Sequence, residues 1–389
     1  MKPHTKLTQL GRAAVNTPGT VNVPLHRAST VLFDNVADLH DTQARWARDE
    51  QIPTYAIFNM PQALALENAV AEIEGGYRAV TYPSGLAAVA GALLACVKSG
   101  DHVLMTDSCY GPGRKFCESF LTRMGVETTF YDPLIGAGIA ALMRPNTTVV
   151  YTESPGSHTF EIQDIPAIAK AAREKNAVVI MDNAWATGLY FNAFAHGVDL
   201  VVQPATKYYA AHSDVLIGVV IANERTWPML KQSTYELGQR ASPDDCFLTL
   251  RGMRTMGVRL KQHHESALHI AQWLQARPEV KRVLYPALES DPGYALWKRD
   301  FSGATGLFSI ELNPCTESQI AAMIDGYEFF GLGYSWGGFE SLVVPADLRY
   351  GRNVVPWTGG PLVRYSIGLE DAGDLIRDLD AGFVRLKNK

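Results

Sequence analysis

The stretch Ala177-Val178-Val179-Ile180-Met181-Asp182 decides the fold of this 389-residue chain. An apolar run that ends in a carboxylate is typical of a strand covered on both faces of a sheet. Strand-like and helix-like segments alternate on either side of it, with strands predicted at 77–82, 102–106, 127–131, 147–152, 177–181, 199–202 and 216–221. The alternation predicts an α/β domain around a mostly parallel seven-stranded sheet.

The helix pattern divides the chain into three parts. Helices are predicted from Pro61 to the Gly75-Gly76 stop, and at 86–98, 115–124, 135–143 and 165–175. After Cys246 a long helical stretch to about Ala276, strands near 280–285 and 303–312, and helices near 319 and 371 indicate a smaller α+β domain. We therefore expect an N-terminal arm over 1–57 that contacts a neighbouring subunit, a large domain over 58–245 and a C-terminal domain over 246–389.

The composition is that of an ordinary globular protein. Hydrophobic residues make up 47% and charged residues 19%, and the formal net charge is −5. Because no basic run occurs, nucleic acid and anionic membranes are poor candidate partners. The first residues lead into no apolar segment, and the longest apolar run, 86–97, is too short to span a bilayer. We expect a cytoplasmic protein.

The cysteines and histidines do not indicate a metal site. The five cysteines are widely spaced and form no CxxC pair, which argues against a disulfide framework or a zinc centre. Cys109 adjoins Tyr110 and is a candidate catalytic thiol, although a buried inert thiol is the commoner case. His263 and His264 are adjacent on a predicted helix and point about 100° apart, so they are poor joint ligands. We expect no metal.

Three features fall at the carboxyl edge of the predicted sheet. The turn 82–86 joins a strand to a helix, whose N-terminus can bind an anion. Asp182 ends one strand, and Lys207 follows the next in Gln203-Pro204-Ala205-Thr206-Lys207-Tyr208-Tyr209. Each alone has an ordinary explanation: a glycine turn, a helix cap or a solvated lysine. Together they supply the phosphate site, carboxylate and lysine that pyridoxal 5'-phosphate (PLP) requires.

With these residues and several longer motifs, the chain resembles the Cys/Met-metabolism family of PLP enzymes, which have fold type I, the aspartate-aminotransferase-like fold. The resemblance covers the chain from about Tyr55 onward and rests on the segments 100–106, 153–157, 205–208, 257–266, 334–342 and 367–371. Within the family, Gly156-Ser157-His158 and Trp336 resemble the bacterial cystathionine β-lyases rather than the γ-acting enzymes.

The resemblance implies cofactor roles for six residues. Lys207 would hold PLP as a Schiff base and move the Cα proton, and Asp182 would pair with the pyridine nitrogen. Tyr110 would stack on the ring at the catalytic centre. The phosphate would bind the amides of Gly85 and Leu86 and the hydroxyl of Thr206.

The resemblance also implies a substrate site and an assembly. Arg364 would bind the substrate α-carboxylate, with a strand-edge ion pair as its alternative role, and Ser335 and Trp336 would border the pocket. Tyr55, in the arm, would reach the cofactor and substrate of the neighbouring subunit. Related enzymes form homotetramers built as dimers of dimers, so the same assembly is expected.

The arm departs from the family pattern. The family has Tyr-x-Arg there, whereas this chain has Tyr55-Ala56-Ile57. The change removes a charge-assisted phosphate contact. Arg45, Arg48 and Arg114 are candidate replacements; otherwise the cofactor affinity is lower or the mouth of the substrate site is remodelled.

The resulting hypothesis is an α,β-elimination that converts cystathionine to homocysteine, pyruvate and ammonia. One alternative is γ-elimination on cystathionine, methionine or canavanine, which shares the first steps. An alternative of another class is a PLP-binding regulatory protein without catalysis. The presence of Lys207, Asp182, Tyr110 and Arg364 argues against the regulator.

Overall fold

The larger of two sheets forms the centre of the chain. The computed structural model describes residues 1–12, 20–348 and 351–388. The large sheet has the order β1-β7-β6-β5-β4-β2-β3, and within it only β7 runs antiparallel to its neighbours. Its strands are β1 Arg78–Tyr82, β2 His102–Thr106, β3 Glu127–Tyr131, β4 Thr147–Glu153, β5 Val178–Asp182, β6 Leu200–Gln203 and β7 Gly218–Ala222. The prediction of a mostly parallel seven-stranded sheet is confirmed.

Helices cover both faces of this sheet. On β5, Val179 and Met181 belong to one buried cluster, whereas Val178 and Ile180 belong to another. Alternate residues of one strand therefore enter different cores, which is why the strand is apolar throughout. The helices before and within this region are α1 Pro3–Gln9, α2 Val36–Ala47, α3 Pro61–Glu74, α4 Gly85–Leu94, α5 Gly111–Lys115, α6 Ile165–Glu174, α7 Thr187–Tyr190 and α8 Trp227–Leu237.

Two predicted helices of the large domain are irregular. The segment expected at 115–124 begins as α5 and continues as a wider π-helical turn, Phe116–Leu121. The segment expected at 135–143 is a 3₁₀ helix, Gly136–Leu142. Gly136 and Gly138 weaken the α-helical preference of this second segment, which favours the short and tighter form.

The C-terminal part contains a five-stranded sheet of order β10-β11-β12-β9-β8. Its strands are β8 Val280–Leu284, β9 Leu307–Leu312, β10 Gly331–Leu332, β11 Leu342–Ala346 and β12 Leu362–Ser366. Its helices are α9 Pro243–Met253, α10 Met256–Gln275, α11 Tyr294–Asp300, α12 Glu317–Ile324 and α13 Ala372–Lys387. Sequence analysis anticipated two of these strands. In the described part of the chain, no helix is long and apolar enough to cross a membrane.

The helix expected over 246–276 is two helices, α9 and α10. The break falls at Arg254 and Thr255. The guanidinium of Arg259 donates to the carbonyl of Gly252, 2.8 Å away, and to that of Tyr208, 2.9 Å away. A side chain thus satisfies a carbonyl at the end of α9, so the helix can stop there. Through its bond to the carbonyl of Tyr208, the same arginine also stabilises the turn that contains Lys207.

Gly252 allows α9 to pack against that turn. A Cβ atom at Gly252 would lie 2.4 Å from the carbonyl oxygens of both Tyr209 and Ala210. Both neighbours are backbone atoms and cannot rotate away. The chain after Lys207 is therefore fixed by direct contact with a helix of the C-terminal part.

We expect Gly252→Ala to lower the midpoint of thermal unfolding by several degrees, because overpacking costs roughly 1–3 kcal/mol. Gly111→Ala is the matched control, since nothing lies within 4 Å of a Cβ placed there. Differential scanning fluorimetry of the two variants and the parent measures the effect. Equal midpoints for Gly252→Ala and the parent would show that the helix can shift at no cost.

Candidate functional site

Asp182 lies at the carboxyl end of β5 and is 6% exposed. Its carboxylate accepts a hydrogen bond from the amide of Ala184 at 3.0 Å. Burial raises its pKa to about 6, while that amide and the charge of Lys207 oppose the rise. A buried carboxylate with so little compensation is suited to a cationic or protonated partner.

Glu153 is a second carboxyl group beside Asp182 and is partly buried. The two residues are directly paired at the ends of β4 and β5. Burial raises the pKa of Glu153 well above its usual value, and the charge of Asp182 adds to this shift. Its carboxylate accepts the amide hydrogen of Tyr110 at 2.7 Å and so holds the Tyr110 loop against the sheet. Sequence analysis missed Glu153, although it directly follows a predicted strand whose end meets this edge.

Lys207 lies in the short turn Thr206–Ala210, with backbone angles outside the helical region. Its Nζ donates to Ser335 Oγ at 2.5 Å and lies 5.2 Å from the centre of the Trp336 ring. Burial lowers its pKa to about 8, the charge of Arg364 lowers it further, and Asp182 opposes both. A lysine with a lowered pKa has more of the neutral amine that attacks a carbonyl.

Arg364, on β12, lines a cavity together with Asp182, Glu153 and Trp336. One guanidinium nitrogen donates to the carbonyl of Ser335 at 3.1 Å. Burial lowers the pKa of Arg364 to about 10. Among the described residues no carboxylate pairs with it, so the strand-edge ion pair considered as its alternative role is absent there. A partly buried guanidinium without a counter-ion favours binding of an external carboxylate.

The three predicted phosphate contacts, Gly85, Leu86 and Thr206, lie at the start of α4 and in the turn that contains Lys207. The first amides of this helix, those of Gly85 and Leu86, have no acceptor within the helix. A Cβ at Gly85 would lie 2.6 Å from Pro204, so only glycine fits this turn. Thr206 Oγ1 donates to the carbonyl of Ile217 at 3.1 Å, and a phosphate contact from its proton would require exchange of that bond.

Tyr110 and Tyr55 differ in their relation to the cavity. Tyr110 precedes α5 and is 43% exposed; burial raises its pKa, as do the charges of Asp182 and Glu153. Its ring is thus near both carboxylates. Tyr55 is 46% exposed in the N-terminal segment and does not line the cavity of its own chain. Its contact with a neighbouring subunit stays a prediction.

The three arginines considered as replacements for the missing arm arginine are all engaged within the chain. Arg45 and Arg48 both bind Glu50. Arg114 is 4% exposed and binds Asp107 and Glu118. None of the three is directed at the start of α4 in the described chain.

The thiol and imidazole alternatives also have local explanations. Cys109 is buried, which raises its pKa well above the usual value and makes it a poor nucleophile. His263 is buried and hydrogen-bonded to the carbonyl of Ile367 at 2.7 Å. The described residues contain no group of three or more histidine, cysteine or acidic side chains that could hold a metal.

Glu74 binds the chain segments that lie at the carboxyl edge of the large sheet. This buried carboxylate, at the end of α3, has four donors from four segments of the chain. The donors are the Asn183 amide at 3.0 Å, the Gln203 amide at 2.9 Å, the Gly188 backbone at 2.8 Å and the Tyr209 hydroxyl at 2.5 Å. Asn183 follows Asp182, and Tyr209 is two residues beyond Lys207. One side chain therefore fixes both chain segments that carry the predicted cofactor residues.

These features fit PLP. The glycine turn allows close backbone approach at a helix N-terminus and would hold the phosphate, the buried carboxylate of Asp182 would pair with the pyridine nitrogen, and Lys207 is a desolvated amine near the charges of Asp182 and Arg364. The fold and the site together define a PLP-dependent enzyme of fold type I.

Comparison with known proteins identifies the family. The chain belongs to the Cys/Met metabolism PLP-dependent enzymes, whose family model matches residues 4–384. A cystathionine beta-lyase of Escherichia coli is 44% identical over 393 residues, covering 99% of each chain. That of Haemophilus influenzae is 44% identical over 389 residues, covering 98% of each. The crystal structure of cystathionine gamma synthase from Xanthomonas oryzae, in complex with aminoacrylate and cysteine, superposes with a TM-score of 0.90 at 29% identity, covering 100% of this chain and 99% of that chain.

We expect Glu74→Gln to destabilise the protein by roughly 1–3 kcal/mol, because the new amide turns a donor toward buried donors. Glu72→Gln is the control on the same helix, since Glu72 is half-exposed and pairs only with Lys6 in the described chain. Thermal unfolding with and without PLP measures both effects. Equal unfolding midpoints for the two variants would show that the hydrogen bonds to Glu74 do not stabilise the protein.

The lowered pKa of Lys207 predicts how cofactor loading depends on pH. Since the neutral amine attacks PLP, the rate at which cofactor-free protein is loaded should rise with pH and level off above about 8. Arg364→Gln removes a positive charge near the amine and should move the inflection to higher pH. Stopped-flow absorbance measures the rate. An inflection near 10.5, the ordinary lysine value, would contradict the environment described for Lys207.

Proposed function

We propose that this protein is a cystathionine β-lyase, which converts cystathionine and water to homocysteine, pyruvate and ammonia. The observation that carries the proposal is that the Lys207 amine lies close enough to feel the charges of two groups: Arg364, which no carboxylate pairs with in the described chain, and the buried carboxylate of Asp182. The guanidinium selects a carboxylate-bearing substrate, and the lysine moves a proton at the carbon beside that carboxylate. The two β-lyase relatives, similar over nearly their whole length, support the choice of substrate.

Each residue has a defined part in this reaction. Arg364 binds the α-carboxylate and so orients the Cα–H bond toward Lys207. Lys207 Nζ, whose lowered pKa suits proton transfer near neutral pH, removes the Cα proton. Asp182 stabilises a protonated ring nitrogen, and bound PLP supplies the electron sink that makes the Cα proton acidic. Tyr110 would stack on the ring, and Glu153 holds its backbone by accepting its amide hydrogen.

The elimination needs a leaving group at Cβ. The electron pair left by the Cα proton forms a Cα–Cβ double bond, and the Cβ–S bond breaks with the electrons going to sulfur. The thiolate takes a proton and leaves as homocysteine. The remaining three-carbon enamine is hydrolysed to pyruvate and ammonia, so atoms and charges balance with one water.

The alternative within the same site is γ-elimination from cystathionine, methionine or canavanine. It shares the Lys207 step and differs in moving a second proton, at Cβ. The residue Ile57 is the reason to test this alternative, because it stands where the family pattern has an arginine. The candidate replacements Arg45, Arg48 and Arg114 bind other groups in the described chain. A regulatory protein without catalysis has less support, because the lysine is desolvated as a reactive amine requires.

We also propose an assembly of four chains, with each site completed at a dimer interface by Tyr55 of the neighbouring chain. Tyr55 is exposed and does not line the cavity of its own chain, which supports this arrangement. We propose a cytoplasmic location, where the five free cysteines stay reduced.

A substrate panel on PLP-loaded protein tests the function. Cystathionine and cystine are compared with methionine and canavanine, and the products are identified by chromatography. Pyruvate and homocysteine from cystathionine, at a rate far above those with methionine and canavanine, are expected. Dominant 2-oxobutyrate or homoserine would overturn the β-lyase proposal and establish γ-elimination.

Two variants separate catalysis from binding. Lys207→Ala should lose about 100- to 10,000-fold in turnover, as expected when a general base is removed. Arg364→Lys keeps the charge but loses the forked geometry, and should raise KM more than it lowers kcat. Full turnover by Lys207→Ala would contradict the proton-transfer role.

A further inference from the structure

His158 lies in the substrate cavity without an assigned role. The cavity that contains Arg364, Trp336 and Asp182 is also lined by His158. Its ring nitrogen Nδ1 is buried and has no hydrogen-bond partner in the described chain. A buried polar atom left without a partner costs free energy unless a ligand supplies one.

The backbone holds His158 in a left-handed conformation. Its φ is 65°, and that of Phe160 is 57°. Such angles are uncommon outside glycine, and they persist where the surrounding structure enforces them. They cluster at functional sites, and here both occur in the loop that borders the cavity.

Hydrogen bonds from several directions enforce this loop. Its start is held by the Ser157 amide, which donates to Ser108 at 2.7 Å, and by the Gly156 amide, which donates to Glu161 at 3.0 Å. Its end is held by Arg352, which donates to Thr159 at 2.7 Å and to Glu161 at 2.8 Å. The imidazole is therefore presented to the cavity by a rigid support.

The charges around the ring define its chemistry. Arg364 is close enough to lower the pKa of His158, which burial and this charge together bring to about 4. The imidazole is therefore neutral near pH 7 and has one N–H to donate. The carboxylates of Asp182 and Glu153 line the same cavity, and they accept hydrogen bonds from the amides of Ala184 and Tyr110 respectively.

We propose that His158 is a second ligand of the substrate carboxylate, donating a hydrogen bond beside the guanidinium of Arg364. This inference rests on the amino-acid site proposed above. A carboxylate has four lone-pair positions, so it can accept from a guanidinium and an imidazole together. The pair would select amino acids by their carboxylate and fix the rotation of the Cα–H bond.

The experiment compares two small amines on the PLP-loaded protein. Glycine carries the carboxylate and methylamine lacks it, and the binding of each is followed by the absorbance of the cofactor. His158→Phe keeps a ring of similar shape and removes the N–H. It should weaken glycine binding roughly 10- to 100-fold and leave methylamine binding unchanged.

His158→Asn is the matched variant, because asparagine tolerates a positive φ and keeps an N–H donor. It should recover part of the lost affinity for glycine. Unchanged glycine binding by His158→Phe would overturn the proposal. Equal weakening of both amines would do the same, since it would assign His158 a structural role.

The amine comparison is independent of the β-lyase assignment. One outcome is that cystathionine gives no pyruvate, while His158→Phe weakens the binding of glycine and not that of methylamine. The proposed reaction is then wrong, and the carboxylate contact of His158 is supported. The opposite outcome is that cystathionine is cleaved, while His158→Phe affects the binding of glycine and methylamine equally. The proposed reaction is then supported, and the inference about His158 is wrong.

Discussion

The buried carboxylate of Glu74 is the interaction on which the site depends. It accepts four donors that come from the chain after Asp182, from β6, from the start of α7 and from the turn after Lys207. A hydrophobic contact could bring these segments together but would not fix their relative register. Directional bonds to a single acceptor group do fix it, because each donor has one productive orientation. Burial raises the pKa of Glu74 to about 7, and the four donors oppose this rise.

The shifted pKa values at the carboxyl edge of the large sheet come from a small number of charged side chains that are shielded from water. Asp182, which is buried, and Glu153, which is partly buried, lie side by side, and Lys207 and Arg364 are cations of the described chain near this edge. Each carboxyl has a raised pKa and each cation a lowered one. A site in this condition binds a cofactor and substrate that bring opposite charge, because their binding relieves the cost of desolvation.

Much of this arrangement could be predicted from the sequence, and the reasons are local. The apolar strand ending at Asp182 and the turn at Lys207 could be predicted from the spacing of apolar residues and from the residues that interrupt it. The long motifs indicated the family. The role of Glu74 could not be predicted, because it lies on a helix far from these motifs and its partners meet it only in the folded chain. The contact between Ser335 and Lys207 also depends on tertiary packing, because the two residues are 128 positions apart and meet only in the folded chain.

The anchoring of Asp107 links the Tyr110 loop to the end of the chain. Its buried carboxylate accepts the backbone amides of Asn353, Val354 and Val355 at 2.9–3.1 Å, and it binds the guanidinium of Arg114. The loop that carries Tyr110 therefore has its full set of hydrogen bonds only when the segment 353–355 is in place. Because that segment follows every strand of the large sheet in sequence, the loop can take its final shape only after the residues of that sheet have been synthesised. A nascent or truncated chain without this segment would carry the lysine without the finished pocket around it.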